Sequence, residues 1–522
     1  MIPQFSFYLT LIVIIIAIIM LANRLKIAYP VLLVVAGLIL SFIPGVPLLR
    51  MDPELIFVIF LPPLLYEAAW AISWKELWRW RRIIGSFAFV VVFLTAMSVA
   101  FVANHFIPGF TLALGFLLGG IVSPPDAVSA SAILKFVNVP KRMSAILEGE
   151  SLLNDASSLI IFRFALIALS TGQFIWYQAV GGFAWMIIGG IGIGLLLAWV
   201  IIQAQKRLPT DANMDTILTI ITPYVIYMVA EEAHSSGVLA VVCGGLLMSN
   251  KRHTFLSNTS RLRGVNVWQN IVFVLNGLVF LLIGLDLPEI TGGLEGVSMM
   301  TAIGYGVLVT VVLIIGRILA AYGAVIVTLI ARNFITVADA RSPGFKAPLV
   351  MGWTGMRGVV SLAAALSIPV TLHGAPFPQR NLILFITFIV ILITLLLQGL
   401  TLPYLIRKLD LPQYDDFVPE EEAEALIRKG LADHTVHFIE SRFGDRVTSD
   451  QHLRQLQEKW NSLLQASNEE LQTLSKSESY EIINSQRAWL LSQNAADKHF
   501  DEELIRKYLT KLDLEEEKLK YS

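Results

Sequence analysis

The amino-acid sequence predicts an all-α, polytopic membrane protein. It reads as thirteen transmembrane helices with inverted six-helix repeats and two interrupted crossing helices, followed by a small helical cytoplasmic tail. Three observations predict this class. Apolar segments close to the ~20 residues needed to span a bilayer recur from the N-terminus to about Lys408. Of 522 residues, 55% are hydrophobic and only 15% charged, against about 45–50% and about 25% in soluble domains. Lys and Arg also collect in alternate connections between those segments, which is the bias that sets topology.

Taken in order, segment 4–22 has no basic run ahead of it, and its positive charges, Arg24 and Lys26, follow it. It therefore reads as a retained helix with its N-terminus outside, not a cleaved leader. Segments 27–45 and 54–72 come next, the latter carrying Glu67, and 83–104 follows the basic residues Lys75, Arg79, Arg81 and Arg82. Segment 111–136 is broken by Ser123-Pro124-Pro125-Asp126, where two prolines remove backbone donors. Segment 142–169 takes Asp155 straight into an apolar run from Ala156 to Leu169. Apolar stretches follow at 178–203, 214–232, 236–250, 268–286 and 299–331. Segment 346–370 contains Gly352-Trp353-Thr354-Gly355-Met356-Arg357-Gly358, rich in residues that release the backbone, and 381–406 closes the set.

With that count, 20 connecting Lys and Arg fall on one side and only Arg50 and Arg380 on the other. The basic side is cytoplasmic, and the tail lies with it. The interrupted fifth and twelfth spans are seven apart, an odd offset that reverses direction through the membrane. Interruptions at matching places in two inverted halves, spans 1–6 and 8–13, point to a secondary-transporter site. Ordinary Pro and Gly kinks, which membrane helices tolerate, are the alternative.

Charged side chains at bilayer depth cost from about 2.5 kcal/mol upward and mark ion or proton pathways. Here the spans hold Glu67, Asp126, Glu150 and Asp155 with Arg163, Arg317 and Arg357. Most need partners. A working ion-binding carboxylate must lack a permanent one, so that cation and proton can compete for it. Asp155 is the candidate; a lock onto Arg163, two turns along the same helix and poorly placed to reach, is its rival. Glu231, Glu232 and His234 read as solvated near the outer surface, with a pH-sensing His234 as the second reading.

Glu148-Gly149-Glu150-Ser151-Leu152-Leu153-Asn154-Asp155, with a broken helix and its Asp thirty residues upstream, resembles the sodium/proton exchangers of the NhaP and animal NHE kind. The likeness covers essentially all of residues 1–410. It includes Leu61-Pro62-Pro63-Leu64-Leu65-Tyr66-Glu67, Glu231-Glu232-Ala233-His234-Ser235-Ser236-Gly237, Phe273-Val274-Leu275-Asn276-Gly277-Leu278, Gly316-Arg317 and Gly355-Met356-Arg357-Gly358. The resemblance implies a secondary antiporter for Na⁺, or for Li⁺ or K⁺, against H⁺, involved in pH regulation and working as a homodimer in the cell membrane. It implies that Asp155 binds the transported Na⁺ and, in the other half-cycle, the proton. Asn154 would stabilise the site, Ser151 would ligate the ion, and Glu67 would lie beside it. Glu150 and Arg317 would form a structural ion pair, and Asp126 and Arg357 would offset the half-helix charges, about half a unit each. Where many relatives carry a Thr, this chain has Pro125, so only backbone carbonyls are left to coordinate from that segment. An Asn-Asp pair, unlike two adjacent aspartates, implies one-for-one, electroneutral exchange.

Other classes fare worse. The lone Cys243 excludes an intramolecular disulfide, and no zinc spacing, nucleotide loop or enzymatic Ser-His or His-Glu-x-x-His constellation is present. No enzyme activity and no cofactor is expected. A gated cation channel lacks repeated filter loops, and a membrane sensor lacks any signalling signature in 411–522. Residues 1–410 hold 25 Lys and Arg against 17 Asp and Glu, and residues 411–522 hold 14 against 23. The tail is acidic and water-exposed, with helical periodicity around 419–443, 451–475, 478–494 and 500–520, and a nucleic-acid-binding stripe is absent.

Overall fold

Two helices that stop in mid-course and restart organise the membrane region of the computed structural model. It describes residues 2–43, 53–134, 137, 139–172, 176–285, 287–294, 297–331, 333, 344–409, 429–430, 432–441, 443, 450–465 and scattered positions from 480 to 519.

The chain opens with α1 (Ile2–Leu25), α2 (Tyr29–Ser41) and α3 (Pro53–Ala71). Helix α4 (Trp74–Gly85) starts at Ser73, whose hydroxyl accepts the Glu76 amide at 3.4 Å, a standard N-cap. It runs through a wider-wound π-helical stretch, Ser86–Val91, into α5 (Val92–Phe106). Helix α6 (Leu112–Val122) is capped by Thr111 and stops before Pro124 and Pro125; α7 (Ala127–Leu134) resumes past Asp126. The long α8 (Lys141–Thr171) ends on the left-handed Gly172, φ 67°, the usual helix stop. Next come α9 (Trp176–Arg207), α10 (Ala212–Glu232) capped by Asp211, and α11 (Gly237–Phe255) capped by Ser236. Helices α12 (Asn258–Leu285), α13 (Leu287–Gly292) and α14 (Met299–Ala331) follow. The second broken helix consists of α15 (Lys346–Trp353) and α16 (Val359–Leu366). A two-residue hairpin, β1 (Thr371–Leu372) with β2 (Ala375–Pro376), leads to α17 (Arg380–Ile393). A second π-helical stretch, Thr394–Gln398, then passes into α18 (Gly399–Leu409).

Seven helices among the described residues are long and apolar enough to cross a membrane, and Leu9–Leu25, Tyr29–Ser41, Phe57–Ala71 and Leu112–Val122 are shorter apolar helices. The protein is a multi-pass, all-α membrane protein. Each of the predicted segments overlaps a helix, and 111–136 and 346–370 each overlap a pair with an unwound join. The predicted start at 83 moves back to Trp74, because Trp, Arg and Lys residues that are too polar for a hydropathy window still form an amphipathic helix.

Helices approach closely where side chains are small. A Cβ on Gly115 or Gly119 of α6 would lie 2.5 or 2.4 Å from the Ala100 or Ala96 carbonyl of α5, the small-residue packing of membrane interfaces. Gly37 of α2 and Gly284 of α12 face each other in the same way.

The chain falls into two compact units, Met1–Tyr414 and Asp415–Ser522. In the second, α19 (Gln451–Gln465) sends the Gln457 amide to Glu440 at 3.1 Å, and Arg487 pairs with Glu516 at 2.6 Å. Much of the predicted 419–443, 478–494 and 500–520 lies outside the described residues.

Candidate functional site

Breaking a helix leaves a carbonyl end and an amide end facing into protein, and both need partners. At the first break, the fully buried Arg357 serves the carbonyl end. Its Nε donates to the Val122 carbonyl at 2.8 Å and a terminal nitrogen reaches the Ser123 carbonyl at 3.4 Å. Asp126 serves the amide end of α7, accepting from the Val128 and Ser129 amides at 3.3 and 3.0 Å and from the Ser129 hydroxyl. A cation thus sits at a helix C-terminus and an anion at an N-terminus, each opposite to the local partial charge. The two breaks are tied directly: the Asp126 amide donates to the Met356 carbonyl at 2.7 Å. Gly358 leaves room for the Asp126 carboxylate, since a Cβ there would lie 2.5 Å from Oδ2. The Arg357 amide is held by the Thr394 hydroxyl at 3.1 Å.

Helix α8 presents Ser151, Asn154 and Asp155 to this crossing, on one face by their spacing. The Ser151 hydroxyl and the Asn154 amide group both donate to the Pro125 carbonyl, at 3.3 and 3.2 Å. The carbonyl of Pro125 itself, left without a helical partner by the break, is therefore already engaged. Oxygen remains on the donors themselves. Ser151 Oγ keeps its lone pairs, and Asn154 Oδ1 is buried with no hydrogen-bond partner among the described residues.

Asp155 is 8% exposed, and its carboxylate makes no hydrogen bond or ion pair among the described residues. Arg163 does not clamp it. That guanidinium pairs with Glu231 of α10, whose other oxygen accepts the Gly237 amide at 3.1 Å. Glu231, which the sequence placed in solvent, is a bridge instead, because the tight turn from α10 into α11 brings Gly237 back beside it. Asp126 lies within electrostatic range of Asp155. Glu150 and Arg317 form a buried bidentate pair at 2.7 and 3.0 Å, joining α8 to α14. Glu67 stands half-buried on α3. Tyr29, absent from the sequence-predicted set, lies within electrostatic range of both Glu67 and Asp126.

A cleft bounded by Pro125, Asp126, Glu148, Glu150, Ser151 and Arg317 approaches the crossing from the Glu148 end of α8. No group of three or more His, Cys, Asp or Glu among the described residues is placed to hold a metal ion. Ser129, Thr394 and Tyr29 escaped the sequence reading. Ser129 was findable as the residue three after Asp126 at a helix start; isolated polar residues such as Thr394 carry no such signal.

The family model described as "Sodium/hydrogen exchanger, transmembrane" matches residues 10–408. The "Sodium, potassium, lithium and rubidium/H(+) antiporter" of Bacillus pumilus is 37% identical over 391 residues, covering 73% of this chain and 58% of that protein. The chain thus spans less than two thirds of that relative's length. The "Na(+)/H(+) antiporter ApNhaP" of Aphanothece halophytica is 35% identical over 389 residues, 74% of this chain and 70% of that protein. In fold, the chain is similar to the sodium proton antiporter MjNhaP1 from Methanocaldococcus jannaschii, with a TM-score of 0.62 at 18% identity, covering 78% of this chain and 99% of that one.

Proposed function

The chain belongs to the sodium/hydrogen exchanger family, and from that premise we propose that it is a secondary active antiporter exchanging Na⁺ for H⁺ across the membrane. One observation carries the mechanism: Asp155 is buried beside the crossing of two unwound segments and has no counter-ion among the described residues. A hydrated Na⁺ sheds water only where hard oxygens replace it. Asp155, Ser151 Oγ and Asn154 Oδ1, which has no hydrogen-bond partner among the described residues, supply them. A proton or a sodium ion neutralises the same carboxylate, so binding one expels the other. The loaded site is neutral and moves; the bare charge is held back.

Access follows from the two ends of α8. The cleft lets ions approach from the Glu148 end, while beyond Asp155 the Arg163–Glu231 bridge ties α8 to α10. Alternating access requires that bridge to open when the cleft closes. On this reading the basic side, with the tail, is cytoplasmic, the N-terminus is outside, and the Asn154–Asp155 pair makes exchange electroneutral. Two copies of the chain form the homodimer that the resemblance implies. Potassium/proton exchange is the second reading, favoured by the Bacillus relatives, whose names include potassium.

The test is proton flux in inside-out vesicles carrying a pH gradient and challenged with Na⁺, Li⁺ and K⁺ in turn. Na⁺ is expected to collapse the gradient saturably. A gradient that persists with every cation overturns the proposal.

A further inference from the structure

The outward face of α4 takes no part in the crossing. Leu77, Trp80 and Ile84 turn inward, whereas Trp74, Lys75, Trp78, Arg81 and Arg82 are exposed along one stripe. Within that stripe the Trp74 and Trp78 rings stack at 5.9 Å and 19°, and the Arg81 guanidinium lies over Trp78 at 4.5 Å from its centroid. Aromatic and cationic surfaces form one patch. The only acid of α4, Glu76, accepts the inward Trp80 indole N–H at 3.0 Å and so does not face the patch.

Length fixes the depth of this patch. Trp74–Phe106 is a continuous helix of 33 residues, about 50 Å long, while the hydrocarbon layer is about 30 Å. Its polar first turns therefore lie at headgroup level, on the side where basic connections gather. Indoles concentrate at that level, guanidinium groups match phosphate oxygens, and basic clusters next to a span attract anionic lipid.

We propose that the outward face of α4 binds the headgroup of an anionic glycerophospholipid. The inward face of the same helix packs on the ion-site helix: a Cβ on Gly149 of α8 would lie 2.6 Å from Ile84 Cδ1, and Arg142 of α8 lies over Trp80 at 5.7 Å. A lipid held by Lys75 and Arg81 is thereby anchored on the helix that packs against α8.

The experiment is native mass spectrometry of the full chain in detergent, titrated with phosphatidylglycerol or phosphatidylcholine. The unaltered chain is expected to retain phosphatidylglycerol preferentially. The combined variant Lys75→Gln, Arg81→Gln is expected to lose about fivefold in retention per charge removed, while Lys251→Gln with Arg252→Gln leaves it unchanged. Equal retention of both lipids, or a double variant that matches the unaltered chain, overturns the proposal. Should the double variant fail to fold, fluorescence quenching by brominated phosphatidylglycerol in vesicles decides. Trp74→Phe with Trp78→Phe is expected to remove a distinct part of the quenching, and no difference overturns it. Neither readout depends on ion exchange.

Discussion

A side chain that must bind two cations in turn cannot serve as a permanent counter-ion for anything else. Asp155 meets that condition, while Glu150, five residues earlier on α8, is held on both oxygens by Arg317. Their substitutions should therefore fail differently. Asp155→Asn is expected to abolish cation-driven proton flux while leaving expression and thermal stability close to normal; retained exchange in vesicles would overturn the site. Arg317→Ala leaves a buried carboxylate unpaired, a loss of about 3–5 kcal/mol, and should show as a lowered melting temperature in detergent. A stable but inactive Arg317→Ala protein would instead give Arg317 a direct role. Ser151→Ala removes a donor to Pro125 and the hydroxyl proposed as an ion ligand, and is expected to raise the Na⁺ concentration for half-maximal flux about tenfold. The chain makes the face legible, because Ser151, Asn154 and Asp155 are spaced three and four residues apart. It does not reveal that Pro125's carbonyl is occupied by two donors, since that depends on how deeply the broken helix approaches α8.

Elements, unlike residues, could be read from punctuation and apolar length: prolines at 124 and 125 and glycines at 352, 355 and 358 locate both breaks. The start of α4 was less legible, because hydropathy is blind to a helix whose outward face is built of Trp and Arg. So was the turn from α10 to α11, which makes Glu231 a partner of Arg163. That bridge leads to an expectation about α8 as a body. Glu231→Gln should weaken the tie to α10 and change the maximal exchange rate more than the Na⁺ dependence, measured in the same vesicles. Close helix approach gives another. Gly358→Ala would push a methyl into the Asp126 carboxylate and should remove transport, whereas Gly304→Ala on α14, where added volume meets nothing within 4 Å, should be silent.

At the scale of the whole molecule, the proposed swap of one charge for one at a single carboxylate would make flux indifferent to voltage. Imposing a potassium diffusion potential across the vesicles is expected to leave the Na⁺-driven rate unchanged, and a potential-driven flux would remove the electroneutral reading. Fold class and family were legible because membrane insertion constrains every span separately, through length, charge and backbone satisfaction. The tail is governed by weaker rules, amphipathic periodicity with few apolar anchors, and less of it could be read. The two π-helical stretches, Ser86–Val91 and Thr394–Gln398, carry a consequence for how this chain tolerates change. Each carbonyl ladder there skips a beat, and Ala88 uses the gap to receive the Ser157 hydroxyl. Deleting one residue inside such a stretch would close the winding and keep the flanking faces in phase. The same deletion two turns from Ser86–Val91 would swing α4 by about 100° and carry Trp74 and Trp78 off the outward face they now share.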